Sequence, residues 1–192
     1  MNIILSGVGG QGLVLTTNMI CEVAFRAGYD VKSNDVVGLS QRGGKVWGSV
    51  KIGDKVYSPN IEKGKADLLL ALEPLEGLRW QEYLKKDGTI IVNTSEVYPV
   101  FAIAEQAPYP HDFLDQFRKD VHVVAEDVLK ISQGIGTSKI VNVVMMGMLA
   151  RYMDIPVDTW KAVISEKVPG AFLEMNMTGF DRGYENIIGD SD

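Results

Sequence analysis

A chain of 192 residues with 46% hydrophobic content has the length for one hydrophobic core and too little for two full domains. It carries 19 basic against 25 acidic residues, a net charge of −6, and so lacks the basic excess that a nucleic-acid partner calls for. Its only cysteine, Cys21, and two histidines, His111 and His122, exclude an internal disulfide, a four-thiolate iron–sulfur cluster and an ordinary structural zinc site.

The N-terminus shows no leader pattern, which with the cysteine usage implies a reducing cytoplasm. No apolar run reaches the roughly 18 residues of a membrane helix. The longest, Ile140 to Met153, is broken by Asn142, Gly147 and Arg151.

In chain order, Asn2–Ser6 reads as a buried strand that runs into Gly7-Val8-Gly9-Gly10-Gln11-Gly12. Gln11–Ala27 carries apolar residues at helical spacing, with Gly28 as its stop. Asp30–Ser33 is a second strand, completing a β-α-β unit. Val37–Gly44 is irregular and ends in Ser40-Gln41-Arg42-Gly43-Gly44. Val46–Ile52 and Lys55–Tyr57 flank Gly53-Asp54 as a hairpin. Ala66–Leu72 has the continuous apolar run of a strand buried on both faces, Glu73–Lys86 the pattern of an amphipathic helix, and Thr89–Asn93 that of another buried strand. Ser95–Phe117 holds three prolines and reads as a loop-rich crossover. Val121–Val124 is the last strand, followed by a helix over Asp127–Gln133. The remainder is helical: Ser138–Asp154, Val157–Val168 and Ala171–Ile187. The expected fold is a three-layer α/β, Rossmann-like, mostly parallel sheet with a β-hairpin and a helical C-terminal third, spanning 1–192 as one domain.

The glycine turn is the leading site candidate. A strand, a G-x-G-x-x-G turn through Gly7, Gly9 and Gly12, and a helix form the opening of a nucleotide-binding unit. Glycines let backbone N–H groups approach a ligand, and the helix N-terminus adds unpaired donors and partial positive charge. Such a turn suits a phosphate or a carboxylate. Asp35 lies at the distance expected of a ribose-binding acid. A purely structural use of the glycines, for a tight turn and close helix–strand packing, stays open. Arg42, between small residues and beside Gly43 and Gly44, can fork onto an anion, although a plain surface loop has the same composition. Glu73 follows a buried strand, where ligands of open α/β sheets bind, yet acids at helix starts are also favoured by the dipole. Asn93-Thr94-Ser95 sits in the same location and reads first as a cap or turn. Asn142, on an apolar helix, needs a partner. Met145, Met146 and Met148 read as core filler. No nucleophile elbow, catalytic carboxylate pair or Gly-Lys-Ser/Thr phosphate loop is present.

Taken in order, the Gly7–Gly12 turn, Ser40–Gly44 before Tyr57-Ser58-Pro59, Ala66-Asp67 leading to Glu73-Pro74-Leu75-Glu76, and Asn142-Val143-Val144 with Gly147 resemble the gamma-type domain of 2-oxoacid:ferredoxin oxidoreductases. The likeness runs from Asn2 to about Glu185 and is nearest the small subunit of the indolepyruvate branch. It implies a CoA-dependent oxidative decarboxylation of a 2-oxoacid to an acyl-CoA with reduction of ferredoxin. It further implies that thiamine diphosphate, magnesium and iron–sulfur clusters sit on a large partner subunit. This chain would hold no cofactor alone, meet ferredoxin only indirectly and contact neither nucleic acid nor membrane. Its residues facing the shared site would be Gly7, Gly9, Gly10, Gln11, Gly12, Arg42, Gly43, Gly44 and Glu73, with none catalytic. The alternatives are a free-standing NAD- or flavin-binding protein on the glycine turn, or a nucleotide-sensing module.

Overall fold

The computed structural model describes residues 1–37, 43–97, 109 and 111–185. Six strands form one sheet: β1 (Asn2–Val8), β2 (Asp30–Val37), β3 (Lys45–Gly53), β4 (Ala66–Ala71), β5 (Leu84–Asn93) and β6 (His122–Glu126), in the order β2-β3-β1-β4-β5-β6. β1, β4, β5 and β6 are parallel neighbours. β3 is antiparallel to both β1 and β2, so it is the one reversed strand and lies inside the expected β-α-β unit.

Alternation along the strands divides the apolar residues between two faces. Ile3, Leu5, Leu68, Leu70 and Ile91 pack with α1 (Leu13–Arg26), α5 (Val141–Ala150), α6 (Val157–Lys167) and α7 (Leu173–Glu185). Ile4, Leu69, Ala71, Ile90 and Val92 pack with Phe113 and Phe117, around the single turn α3 (Phe113–Gln116), and with Leu78 and Trp80 of α2 (Pro74–Trp80). The remaining helix, α4 (Val128–Ile135), follows β6. Met145, Met146 and Met148 are all buried.

α1 stops as its sequence dictates. Gly28 takes a left-handed φ of 89°, its N–H donates to Phe25 O, and the Tyr29 N–H donates to Ala24 O, the paired bonds of a Schellman end.

Three elements depart from the pattern reading. Lys55–Tyr57 is not a strand. The antiparallel hairpin is β2–β3, and the residues after Gly53 are tied back to β2 by the Val56 N–H donating to Asp30 (2.9 Å). The helix expected over Glu73–Lys86 ends at Trp80 and passes through a 3-10 turn, Gln81–Tyr83, into β5. Leu84, fully buried, pairs with Ala66, and this burial overrides the helical propensity of Leu-Lys-Lys. The pairing then slips between Ala66 and Leu68, where Asp87 adopts φ 59°, as a bulge requires. Finally, Ser138–Ile140 is a 3-10 turn that precedes α5.

α5 and α7 cross with backbones in contact. A Cβ on Gly183 would overlap the Val144 carbonyl, and one on Gly147 would overlap the Phe180 carbonyl. Only glycine allows that approach.

Candidate functional site

β1 and β4 are parallel neighbours whose chains continue to opposite sides of the sheet, β1 toward β2 and β3, β4 toward β5. Such a switch point opens a crevice beyond the carboxyl ends of the strands, and the Gly7–Gly12 turn occupies it. The Leu72 N–H donates to Ser6 O (2.8 Å), joining the two strand ends.

Gln11 acts as a brace. Its Oε1 accepts from the Val8 N–H (2.6 Å), and its Nε2 donates to Leu72 O (3.0 Å). The Asn93 side chain donates to the same carbonyl (3.3 Å). A Cβ on Gly7 would come within 2.8 Å of Gln11 Oε1, which explains a glycine there. Gly9 exchanges bonds with the segment before β3: its N–H donates to Gly44 O (2.7 Å), and the Gly43 N–H donates to Gly9 O (3.1 Å). The Gln11 N–H closes the turn on Val8 O (3.1 Å). The N–H groups of Val8, Gly9 and Gln11 are therefore spent within the protein. Gly12, at φ 77°, is the N-cap of α1 and contributes no capping side chain. Its carbonyl accepts from Asn142 Nδ2 (3.2 Å), the partner that Asn142 needed.

Beside the turn lies a cavity of about 430 Å³, walled by Gly10, Gln11, Gly12, Leu15, Leu72, Asn93, Ser95, Val97, Leu129, Ser138, Lys139, Val141 and Asn142. Lys139 is the one charged residue among its described walls; the others supply amides, hydroxyls, backbone and apolar surface. A lining of this kind suits an anion, and its described residues offer no carboxylate, imidazole or thiol to move a proton. Asn93 is structurally committed, since its Oδ1 also accepts from the N–H groups of Ser95 (3.2 Å) and Val128 (3.1 Å). It thereby fastens the end of β5 to the start of α4.

The candidates drawn from sequence fall into four groups. Gly10, Gln11 and Gly12 line the cavity, and Gly7, Gly9, Gly43 and Gly44 shape the turn above it. Glu73 does not line it. Its carboxylate is fully buried, caps α2 by accepting from the Glu76 N–H (2.9 Å) and takes a short hydrogen bond from the Tyr109 hydroxyl. Burial raises the Glu73 carboxyl above the usual range, against the pull of these donors. The same contact and burial raise Tyr109 further from ionisation. Arg42, with Ser40 and Gln41, lies outside the described residues. Asp35, the ribose candidate, sits along β2 against Gly48 and the Thr17 hydroxyl and is not among the residues lining the cavity.

Ser138 and Lys139 escaped sequence reading altogether, because a 3-10 turn far along the chain carries them in. Asn93–Ser95 and Asn142 were visible as polar residues at a strand end and on an apolar helix.

Comparison with known proteins agrees with this geometry. The family model for pyruvate ferredoxin/flavodoxin oxidoreductase matches residues 2–186. The indolepyruvate oxidoreductase subunit IorB of Thermococcus kodakarensis is 37% identical, with 95% of this chain and 93% of that one covered. The common gamma subunit of the pyruvate/ketoisovalerate oxidoreductases of the same organism is 24% identical over 95% and 94%. Among solved structures, the keto/oxoacid ferredoxin oxidoreductase gamma subunit of Geobacter sulfurreducens superposes with a TM-score of 0.74 at 23% identity, covering 96% of each chain, which shows a shared fold. The chain belongs to the pyruvate ferredoxin/flavodoxin oxidoreductase family. Within it, this is a gamma-type subunit of the 2-oxoacid:ferredoxin oxidoreductases. A free-standing nucleotide-binding protein finds no support in these relationships.

An iron–sulfur cluster held by four thiolates does not fit the donors on this chain. One cysteine cannot supply four thiolates. No cluster of three or more His, Cys, Asp or Glu side chains able to hold a metal occurs among the described residues. No described helix is long and apolar enough to cross a membrane.

Proposed function

We propose that this chain is the small subunit of an indolepyruvate or arylpyruvate:ferredoxin oxidoreductase and is inactive alone. It supports the CoA-dependent oxidative decarboxylation of a 2-oxoacid by forming one wall of a site completed by a large cytoplasmic partner. That partner carries thiamine diphosphate, magnesium and the iron–sulfur clusters, and passes electrons to ferredoxin. The single observation that carries the reading is the near-full-length match to an IorB subunit at 37% identity, against 24% to the pyruvate/ketoisovalerate gamma subunit of the same organism.

In this reading the cavity at the Gly7–Gly12 turn faces the partner. Lys139, Ser138 and the amide of Asn142 meet an anionic group delivered from the other side, and Gln11, Gly43 and Gly44 keep the wall rigid. Arg42, a candidate from sequence alone, is the further cation assigned to this role. Rigid positioning of groups that meet charge is how such a wall contributes to rate.

The test is reconstitution with the large subunit, followed by ferredoxin reduction with CoA and, in turn, indolepyruvate, phenylpyruvate, pyruvate and 2-oxoisovalerate. Turnover is expected only from the complex and fastest with the aryl substrates. Faster turnover of pyruvate overturns the substrate assignment, and ferredoxin reduction by the isolated chain overturns the division of labour.

A further inference from the structure

A second cavity, of about 200 Å³, adjoins the first across Leu15, Lys139 and Asn142. Its walls are mainly apolar: Leu15 and Met19 from α1, Val143 and Met146 from α5, then Val168 and Phe172 from the segment between α6 and α7. Leu15 and Phe172 stand at its mouth, 51% and 46% exposed. Exposure of this kind leaves apolar area in water that a ligand would cover.

Two features identify the occupant. The first is size. An apolar cavity of about 150 Å³ accepts benzene, so this one admits a single aromatic ring or a short alkyl chain and little more. The second is charge. In a chain of net charge −6, the charged residues lining this cavity are two lysines, Lys139 and Lys167. Among the described residues neither ammonium takes part in a salt bridge. The neighbouring Glu166 is bound by Arg26 (2.6 Å). Lys167 also feels Glu166 and borders a cavity beside Glu22. The charged lining of this slot is nevertheless cationic, with Thr16, Thr137, Asn142 and Asn176 as its polar uncharged residues, and it complements an apolar body that ends in a negative charge.

We propose that this groove is a binding site for a small carboxylate with one aromatic ring or a short alkyl chain, the hydrocarbon lying on Leu15 and Phe172 above the buried Met19 and Met146 and the carboxylate meeting Lys139 and Lys167. The site shares Lys139 with the first cavity, takes Lys167 and its apolar walls from the second alone, and does not depend on the substrate assigned above.

The two wall methionines give a direct readout. The full chain is labelled with methyl-13C methionine, the Met19 and Met146 signals are assigned with Met19→Leu and Met146→Leu, and 3-phenylpropanoate is titrated in. Both methyls are expected to shift saturably while Met1 does not. The neutral isostere 3-phenylpropan-1-ol is expected to bind about tenfold more weakly. Lys139→Gln and Lys167→Gln are each expected to weaken binding about threefold, as partly exposed ion pairs do. These surface changes leave the fold intact, which the unchanged spectrum of the remaining methyls verifies. Absence of a saturable shift at either methyl overturns the site. Equal affinity for acid and alcohol, or unaltered binding by both lysine variants, overturns the carboxylate. If adding the large subunit shifts both methyls and abolishes 3-phenylpropanoate binding, the groove is a subunit contact and the proposal fails.

Discussion

At the residue scale, the most informative pair is one that the chemistry of the cavity leaves aside. Glu73 and Glu76 are both fully buried at the start of α2. Glu76 is salt-bridged to Arg79 through Oε1, while its Oε2 has no hydrogen-bond partner among the described residues. Burial raises the Glu76 carboxyl, Arg79 and Lys45 pull it back and Glu73 pushes it up again. A carboxyl whose folded pKa lies above its unfolded value near 4.5 holds its proton more tightly in the folded state. Its contribution to stability is complete below the unfolded value and is lost as pH rises through the folded one. Glu76→Gln keeps the shape and removes the titration. Urea unfolding of the variant and the parent at pH 5, 6.5 and 8 is expected to show the variant gaining relative to the parent as pH rises. A difference that stays flat across that range refutes the assignment. Sequence made Glu73 visible by its place after a strand but not its inward-facing carboxylate, because Tyr109, which holds it, is 36 residues away.

At the scale of elements, legibility followed locality. The stop of α1 depends on Gly28, whose conformation the neighbouring residues decide, and it is readable; the helix expected from Gln11 starts two residues later, at Leu13, because Gly12 takes the left-handed N-cap conformation. The end of α2 depends on Leu84 reaching Ala66, a contact that no window of periodicity contains. The hairpin was misplaced for a similar reason: Gly53-Asp54 has turn chemistry, yet the partner of β3 is β2, whose Lys32-Ser33-Asn34-Asp35 run gives no apolar alternation to read. The α5–α7 crossing allows a sharp test. Gly183→Ala drives a methyl into the Val144 backbone and is expected to cost more than about 3 kcal/mol or to abolish folding. Gly134→Ala, in α4, where an added Cβ meets nothing within 4 Å, is expected to be neutral or to stabilise by up to about 1 kcal/mol. Thermal and urea unfolding of the two variants side by side decides the matter, and equal costs would refute the close crossing.

At the scale of the whole molecule, the class of fold was legible because buried strands and glycine punctuation recur in chain order. The site was legible in part. Its floor, the glycine turn, is a local motif. Its far wall, Ser138 and Lys139, is brought in by the packing of the helical third, which carries no motif of its own. The turn also differs from its first appearance, since Gln11 and Gly44 already occupy donor and acceptor positions that the motif alone would offer to a ligand. What distinguishes the chain is thus a braced surface with a cavity beside it.

The reversed strand β3 has a kinetic consequence. β2 is joined to the sheet through β3 alone, so every opening that releases β3 also unzips β2, whereas β2 can fray by itself. Amide hydrogen exchange under native conditions should therefore order the strands: β2 amides exchange soonest, β3 next, and the fully flanked β1 and β4 last. Slower exchange in β2 than in β3 would mean that something other than the sheet holds that edge. The same ordering makes the β2 edge the first part of the β2-β3-β1-β4 run to open.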